Sequence, residues 1–331
     1  MTWEHPGYVG APTDMLFNGS AALGMKSTAS VDPGGPVAEE IAFLWWVMFG
    51  LGAVVFLVVL VLLGRGIFAR RVEDVSPKQA GPGWLWGGGI VLPAAGISVV
   101  LALTLIAMRD VPGRAQEGAL LVEVTGHQWW WEVSYPTLGI TEANEIHFPV
   151  GEQVELRIIS DDVIHSLWVP RLGVKLDLLP DYENTALLEA DRPGVFRGAC
   201  AEFCGLQHAK MRFLAIAETR DDFEAWAAGA GRDALEPADP AVIAGQEVFL
   251  RSECVDCHSI RGTSAVGQDG PDLTHIGSRR TLAGGILENT TENLREWVST
   301  PQAVKEGAMM PDVELSEGDL TSLVAYLESL E

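Results

Sequence analysis

Two stretches of the chain carry no charge, residues 41–63 (IAFLWWVMFGLGAVVFLVVLVLL) and residues 84–108, and both stay apolar without alternating. A helix with the 23 residues of the first run reaches roughly 34 Å, more than the ~30 Å hydrocarbon core of a bilayer. Each run therefore predicts a membrane-spanning helix. Pro93 and the patch Gly87, Gly88 and Gly89 in the second run are compatible with that reading, because membrane helices tolerate both residue types. Beyond residue 108 the pattern changes to short runs: ALLVEVT, QWWWEVSY, EQVELRII, TALLEA, GVFRGA and MRFLAIA. In EQVELRII, Val154, Leu156 and Ile158 point one way and Glu155 and Arg157 the other, as a half-buried strand requires. Several such strands separated by turn signals predict an all-β sandwich or barrel of Greek-key type. DDFEAWAAGA then reads as a short helix, and GAGRDALEPADP as a linker, with a domain boundary near Glu236. The remainder, residues 237–331, is patterned for helices.

The expected organisation is a membrane-anchored multidomain chain. It has an N-terminal segment (1–40), a transmembrane hairpin (41–108, with spans 41–63 and 84–108), a β-domain with linker (109–236) and an all-α domain (237–331). Basic residues decide its orientation. Arg65, Arg70, Arg71 and Lys78 lie between the spans, whereas Lys26 is the sole base in the first 40 residues. The positive-inside rule places the loop in the cytoplasm and both termini, with both soluble domains, outside a bacterial-type cytoplasmic membrane. The first 40 residues have neither a basic start nor an apolar stretch, so no cleavable signal peptide is expected. With 45 acidic against 22 basic residues and a net charge of −23, nucleic acid is excluded as a partner, since phosphate binding needs a basic face. Nearly all of the acidic excess lies after residue 108, where it keeps two soluble units solvated or steers a cationic partner.

The four cysteines fall in two pairs. GACAEFCGLQHAKM supplies Cys200, Cys204, His208 and Met211 from one loop between strands, and DDVIHSLWVP offers His165 from a neighbouring strand. Thiolate, imidazole and thioether together are a soft ligand set that selects copper. A disulfide, which an oxidising compartment permits, is one alternative for the two thiols, and zinc on two Cys and two His is another, though zinc leaves Met211 without a role. The second pair stands in SECVDCHSI, where Cys254, Cys257 and His258 form C-x-x-C-H, the signal for covalent attachment of a c-type haem with the histidine as proximal ligand. A thioredoxin-like dithiol would not need His258, and no βαβ pattern surrounds it.

The hairpin, GHQWWWEVSYP, VIHSLWVPRLGVKLDLLP and RPGVFRGACAEFCGLQHAKM together resemble subunit II of haem-copper cytochrome c oxidase over nearly all of residues 39–220. The resemblance implies a cupredoxin-like fold and a binuclear copper centre, CuA. Cys200 and Cys204 would bridge two copper ions, His165 and His208 each hold one, and Met211 and the backbone carbonyl of Glu202 act as further ligands. Two sulfurs would then let two metals share one electron. It also implies that the Glu202 carboxylate reaches a magnesium ion at the boundary with the catalytic subunit, where an exposed loop glutamate is the plainer alternative. Trp129 would be the residue through which electrons arrive, while Trp130 and Trp131 are expected to be core packing. The family often has a carboxylate near the start of the second span, yet residues 79–108 contain none; Glu39 and Glu40 match acids before the first span but also suit a solvated helix start.

Residues 238–331 resemble a class I cytochrome c along their whole length. Gly245 and Phe249, with Leu323 and Tyr326 in LTSLVAYLESL, look like that fold's crossing terminal helices. The resemblance implies that the Pro271 carbonyl of GPDL accepts the His258 N–H, that Trp297 packs at a haem propionate, and that the sixth iron ligand is Met310, with Met309 as the alternative. His275 is expected at the surface, and His5, His127 and His147 are given no functional role. All four cysteines are thereby assigned, none to a disulfide.

Hairpin, copper domain and fused cytochrome c are the arrangement of caa-type oxidases. This implies an electron-input subunit of a proton-pumping terminal oxidase, itself without a centre for oxygen reduction. Electrons would pass from an external donor, such as a cytochrome c or a quinol-oxidising complex, through haem c and CuA to a separate catalytic subunit I. The tether would replace a bimolecular encounter with an intramolecular one. Two alternatives stay open: the small subunit of a CuA-containing nitric oxide reductase, and a copper-binding assembly protein.

Overall fold

The computed structural model describes residues 32–68, 82–110 and 115–331. Lys26, Arg70, Arg71 and Lys78, on which the orientation rests, and His5 lie outside the described residues. The first apolar run is a helix, α1 (Pro36–Phe68), 33 residues long. It exceeds the uncharged stretch at both ends, because Pro36 is acceptable in a first helical turn and Gly64 and Gly66 do not by themselves break a helix. The second begins as a short helix at Pro82–Trp86 and passes through a π-helical turn, Gly87–Val91, before α2 (Leu92–Asp110). The wide turn falls on the three glycines and just ahead of Pro93, which cannot donate a backbone hydrogen bond. Both helices are long and apolar enough to cross a membrane, and they pack on each other with most side chains exposed.

The middle of the chain is a two-sheet sandwich. One sheet has the order β3-β2-β1-β5-β8 and the other β4-β10-β9-β6-β7. The strands are β1 (Leu120–His127), β2 (Trp130–Tyr135), β3 (Ile140–Ala143), β4 (Glu145–Pro149) and β5 (Val154–Ser160). They continue as β6 (His165–Val169), β7 (Val174–Leu178), β8 (Asn184–Leu188), β9 (Gly194–Cys200) and β10 (Arg212–Glu218). The β1–β5 and β4–β10 pairs are parallel and the other ladders antiparallel. Alternation drives this: Val154, Leu156 and Ile158 of β5 are buried beside Val122 and Val124 of β1, while Glu155 and Arg157 lie on the opposite face. Each large aliphatic or aromatic residue buried there contributes about 1.5–3 kcal/mol. Trp131, fully buried against Phe213, is a core residue, and Trp130 stacks on His127.

Ahead of α1 the chain is pinned to this sandwich. Asp32 pairs with Arg171 (2.8 Å), and Gly34 exchanges backbone hydrogen bonds with Arg171 and Asp191. Behind β10, α3 (Arg220–Ala230) is capped by Thr219 and packs Phe223 into the core. Residues 232–239 form the irregular connection, and Asp239 with Pro240 then starts α4 (Pro240–Arg251). The last module is helical: a short turn at Cys254–Cys257, then α5 (Thr291–Ser299) and α6 (Glu317–Ser329), capped by Thr290 and Ser316 respectively. α4 and α6 cross so closely that a Cβ at Gly245 would sit 1.9 Å from the Ser322 carbonyl oxygen. Phe249, Leu294, Leu323, Val324 and Tyr326 form the core around that crossing.

Candidate functional site

Sheet register brings the first cluster together. Leu167 of β6 lies opposite Cys200 of β9, so His165, two residues earlier on the same face, reaches Cys200 diagonally. On the other side Cys200 donates its backbone N–H to the Met211 carbonyl (2.9 Å), closing the β9–β10 connection into a loop of residues 201–210. That loop turns at Gly205, whose φ is +115°, and passes through a 3-10 turn at His208–Lys210. A Cβ at Gly126 would lie 2.9 Å from the His165 ring, so a glycine is needed beneath it.

Five side chains and one carbonyl converge. The Cys200 and Cys204 sulfurs are 3.7 Å apart and unbonded. His165 Nδ1 lies 3.9 Å from Cys200 Sγ, His208 Nδ1 3.6 Å from Cys204 Sγ, and Met211 Sδ 3.8 Å from Cys204 Sγ. The Glu202 carbonyl oxygen is 3.1 Å from Cys200 Sγ. Donor atoms so spaced suit cations held ~2.0–2.3 Å from each. Both imidazoles present Nδ1 to the sulfurs, and the His165 Nε2 is held by Asp162 (2.7 Å). Such an outer partner fixes ring orientation and tautomer.

The electrostatics suit anionic sulfur. The neighbouring Cys204 thiol lowers the Cys200 pKa, with further hydrogen bonds from His165 and backbone groups; Cys200 in turn raises Cys204, as does burial. Burial draws the His165 pKa down, but Cys200 and Asp162 outweigh it and raise the value overall. The turn carrying Trp129 is laced to the same loop. Gln128 Nε2 and Trp129 Nε1 both donate to the Cys204 carbonyl (2.6 and 3.0 Å), and the Gln128 N–H donates to Asp162 (2.6 Å). Glu202 and Phe203 stand exposed at the tip.

The second cluster is local. Cys254 and Cys257 share one helical turn, and the His258 N–H closes it on the Cys254 carbonyl (2.9 Å). His258 Nδ1 hydrogen-bonds the Pro271 carbonyl (2.8 Å), which leaves Nε2 for a metal. Burial lowers the pKa of His258, favouring the neutral, ligating form. A Cβ at Gly270 would fall 2.7 Å from the imidazole, so the ring's place is reserved. The residues thus fit covalent haem with an oriented proximal ligand. Trp297 packs on the helical core. Met310 is half-buried on the loop after α5, its carbonyl accepting from Gln302 (2.7 Å), whereas Met309 is 80% exposed.

One histidine departs from expectation. His275 is 6% exposed rather than at the surface. It is buried because its Nε2 bonds the Arg232 carbonyl (3.0 Å) at the start of the linker and lies 3.3 Å from the guanidinium of Arg261, three residues beyond His258. His147, given no role, lies between Glu145 (3.7 Å) and Glu218 (3.1 Å) and stacks on Trp226 (4.2 Å). Burial opposes its charge, but hydrogen bonds to the two glutamates raise its pKa to about 9. No periodicity in the sequence signals this network, since its partners lie on β4, β10 and α3.

Residues 138–217 match the family described as cytochrome c oxidase subunit II, periplasmic domain, and residues 242–331 match cytochrome c. Similar over nearly the whole chain is the cytochrome c oxidase subunit 2 of Alkalihalophilus pseudofirmus, 36% identical over 94% of this chain and 93% of that protein. The cytochrome c oxidase subunit 2 of Bacillus subtilis is 28% identical, covering 94% of each chain. Among solved structures, the periplasmic domain of subunit II of cytochrome oxidase from Bradyrhizobium japonicum is 29% identical; the match covers 36% of this chain and 96% of that one, with a TM-score of 0.34.

Proposed function

The chain belongs to the cytochrome c oxidase subunit II family and carries a cytochrome c domain behind the family's copper domain, and from that premise we propose that it is the electron-input subunit of a proton-pumping terminal oxidase. The observation that carries this reading is the convergence of His165, Cys200, Cys204, His208 and Met211 on one point of a chain that also bears C-x-x-C-H. Cys200 and Cys204 would hold a binuclear copper centre, with His165, His208, Met211 and the Glu202 carbonyl completing it. Cys254 and Cys257 would anchor haem c, with His258 and Met310 as its axial ligands and Trp297 beside a propionate. When bound, these groups supply one-electron carriers between an external donor and the catalytic subunit that reduces oxygen to water.

The chain's own residues bind and orient. Asp162 holds the His165 ring through Nε2, Pro271 holds His258 through Nδ1, and Gln128 with Trp129 fixes the carbonyl of Cys204. Trp129 is the residue through which electrons would reach the copper loop. The exposed Glu202 carboxylate would meet a magnesium ion at subunit I, with the exposed Phe203 next to it in the chain. The two apolar helices anchor the subunit in the membrane, with both termini and both soluble modules on the extracytoplasmic side.

Purifying the membrane complex and recording its optical spectrum together with gas uptake tests the proposal. A haem c band on this chain with oxygen consumption is expected. Nitric oxide consumption without oxygen uptake, or a chain lacking haem c, would contradict it.

A further inference from the structure

Residues 32–35, DPGG, lie against the sandwich immediately before α1. Two turns grip them. From the turn after β6, the Arg171 carbonyl accepts the Gly34 N–H (2.8 Å); from the turn after β8, the Asp191 N–H donates to the Gly34 carbonyl (2.9 Å). Arg171 also donates Nε to the Asp32 carbonyl and Nη2 to its carboxylate (both 2.8 Å), while Arg192 Nη2 donates to the Pro33 carbonyl (3.1 Å). Arg171 is buried, its guanidinium 5.2 Å from the centre of the Phe196 ring. The backbones approach so closely that side chains have no room. A Cβ at Gly34 would be 2.3 Å from Phe196 Cε1, and one at Gly35 would be 2.2 Å from the Glu189 carbonyl oxygen. Gly173, with φ +79°, makes room for the first turn of α1, since a Cβ there would lie 2.8 Å from the Ala38 nitrogen.

No slack separates this strap from the membrane helix. The Glu39 N–H already bonds the Gly35 carbonyl (3.1 Å) as the helix begins, and Ala38, beside Gly173, is buried. The gripped turns are also the far ends of two strands that deliver donors to the copper site: β6 begins at His165 and runs into the Arg171 turn, and β9 follows the Asp191 turn and ends at Cys200. At about 3.3 Å per residue these strands are stiff struts roughly 16–23 Å long between strap and ligands. Without the strap, the sandwich would be joined to the hairpin only by the chain between α2 and β1. A domain held by one connection moves relative to its anchor by default. The strap is a second attachment, and it removes that hinge.

We propose that residues 32–35 and the positioning residue Arg171 form a clamp that locks the copper domain to α1 in one orientation, and so sets the separation between the copper ligands and the electron acceptor in the catalytic subunit. The consequence rests on the electron-input reading, because it concerns the step in which one electron leaves this chain's copper site and reduces that acceptor. The lock itself does not depend on that reading. A misplacement of about 1 Å between reacting groups can cost a reaction about 10²-fold. Loosening the clamp should therefore slow the exit step and spare the transfer from haem c to copper, whose ligands all lie in the soluble part beyond the clamp.

Two variants of the assembled, metal-loaded complex loosen the clamp from opposite sides. R171M keeps bulk over Phe196 and leaves Asp32, 48% exposed, in water, whereas G35V wedges the strap away from the Glu189 carbonyl. Laser-triggered electron injection, followed at the absorption bands of haem c, copper and the catalytic subunit, resolves the two steps. The exit step should be about tenfold slower in both variants, with the haem c-to-copper step and the copper paramagnetic signal unchanged. Parental exit rates in both variants would overturn the proposal. Equal slowing of both steps would overturn it too, since the sandwich itself would then be at fault. Nitroxide labels at Glu39→Cys and Leu138→Cys, both exposed positions, read the lock without any electron transfer. Their distance distribution should be narrow in the parent and broaden in R171M and G35V; a distribution already broad in the parent would sink the clamp. Failure of haem c to reduce copper in the parent would instead overturn the electron-input reading and leave the label distances legible.

Discussion

At the proposed copper loop, donors arrive from far apart: His165 precedes Cys200 by 35 residues and meets it because β6 pairs with β9. At the haem segment, Cys254, Cys257 and His258 are chain neighbours on one helical turn, and Met310 alone of the proposed ligands comes from a distance. The first site is a product of sheet register, and Asp162 braces its His165. The second depends on a local turn and one hydrogen bond from His258 to the Pro271 carbonyl. One is therefore sensitive to the sandwich as a whole, whereas the other should tolerate changes there.

The sharpest way to break that contrast is Cys200→Ser. It should abolish the copper signal in electron paramagnetic resonance and leave the haem spectrum unchanged; simultaneous loss of both would show that the two sites do not stand apart. Next in size is Met310→Leu, which should turn the haem toward a high-spin or altered-ligand optical spectrum. An unchanged spectrum would transfer the axial role to Met309. Asp162→Asn should keep the fold but lower copper affinity by about 10–100-fold, the usual cost of losing an outer partner of a ligating histidine; titration of the apo-protein with copper would read this, and an unaltered affinity would remove Asp162 from the account.

The smallest effect concerns His147. Its folded pKa, raised to about 9, exceeds its ordinary 6.5, so its charge stabilises the sandwich in full below pH 6.5 and that contribution is lost as the pH climbs through 9. One pKa unit is worth ~1.4 kcal/mol, so the effect is at most a few kcal/mol. The stability deficit of His147→Gln relative to the parent should therefore be greatest below pH 6.5 and shrink toward pH 9 in denaturant titrations. A deficit that grows over that interval would reverse the assignment.

The same contrast explains what could be read from sequence. The membrane helices follow from uncharged runs, and β1 and β5 from alternation, because burial in those elements is set by each element's own residues. C-x-x-C-H is legible for the same reason. The strands β3 and β4 are not, since ITEA and EIHFP carry Glu142, Glu145 and His147, which look like loop residues until Arg279, Glu218 and the Arg280 and Thr281 amides arrive from elsewhere. His275 was hidden likewise: its burial depends on Arg232 and Arg261.

The most direct measurement is copper quantification with electron paramagnetic resonance on the intact, haem-loaded chain. Two copper ions per chain sharing one unpaired electron are predicted, with Cys200 and Cys204 both reduced and metal-bound. A single isolated copper signal, or a native Cys200–Cys204 disulfide without copper, would contradict the account.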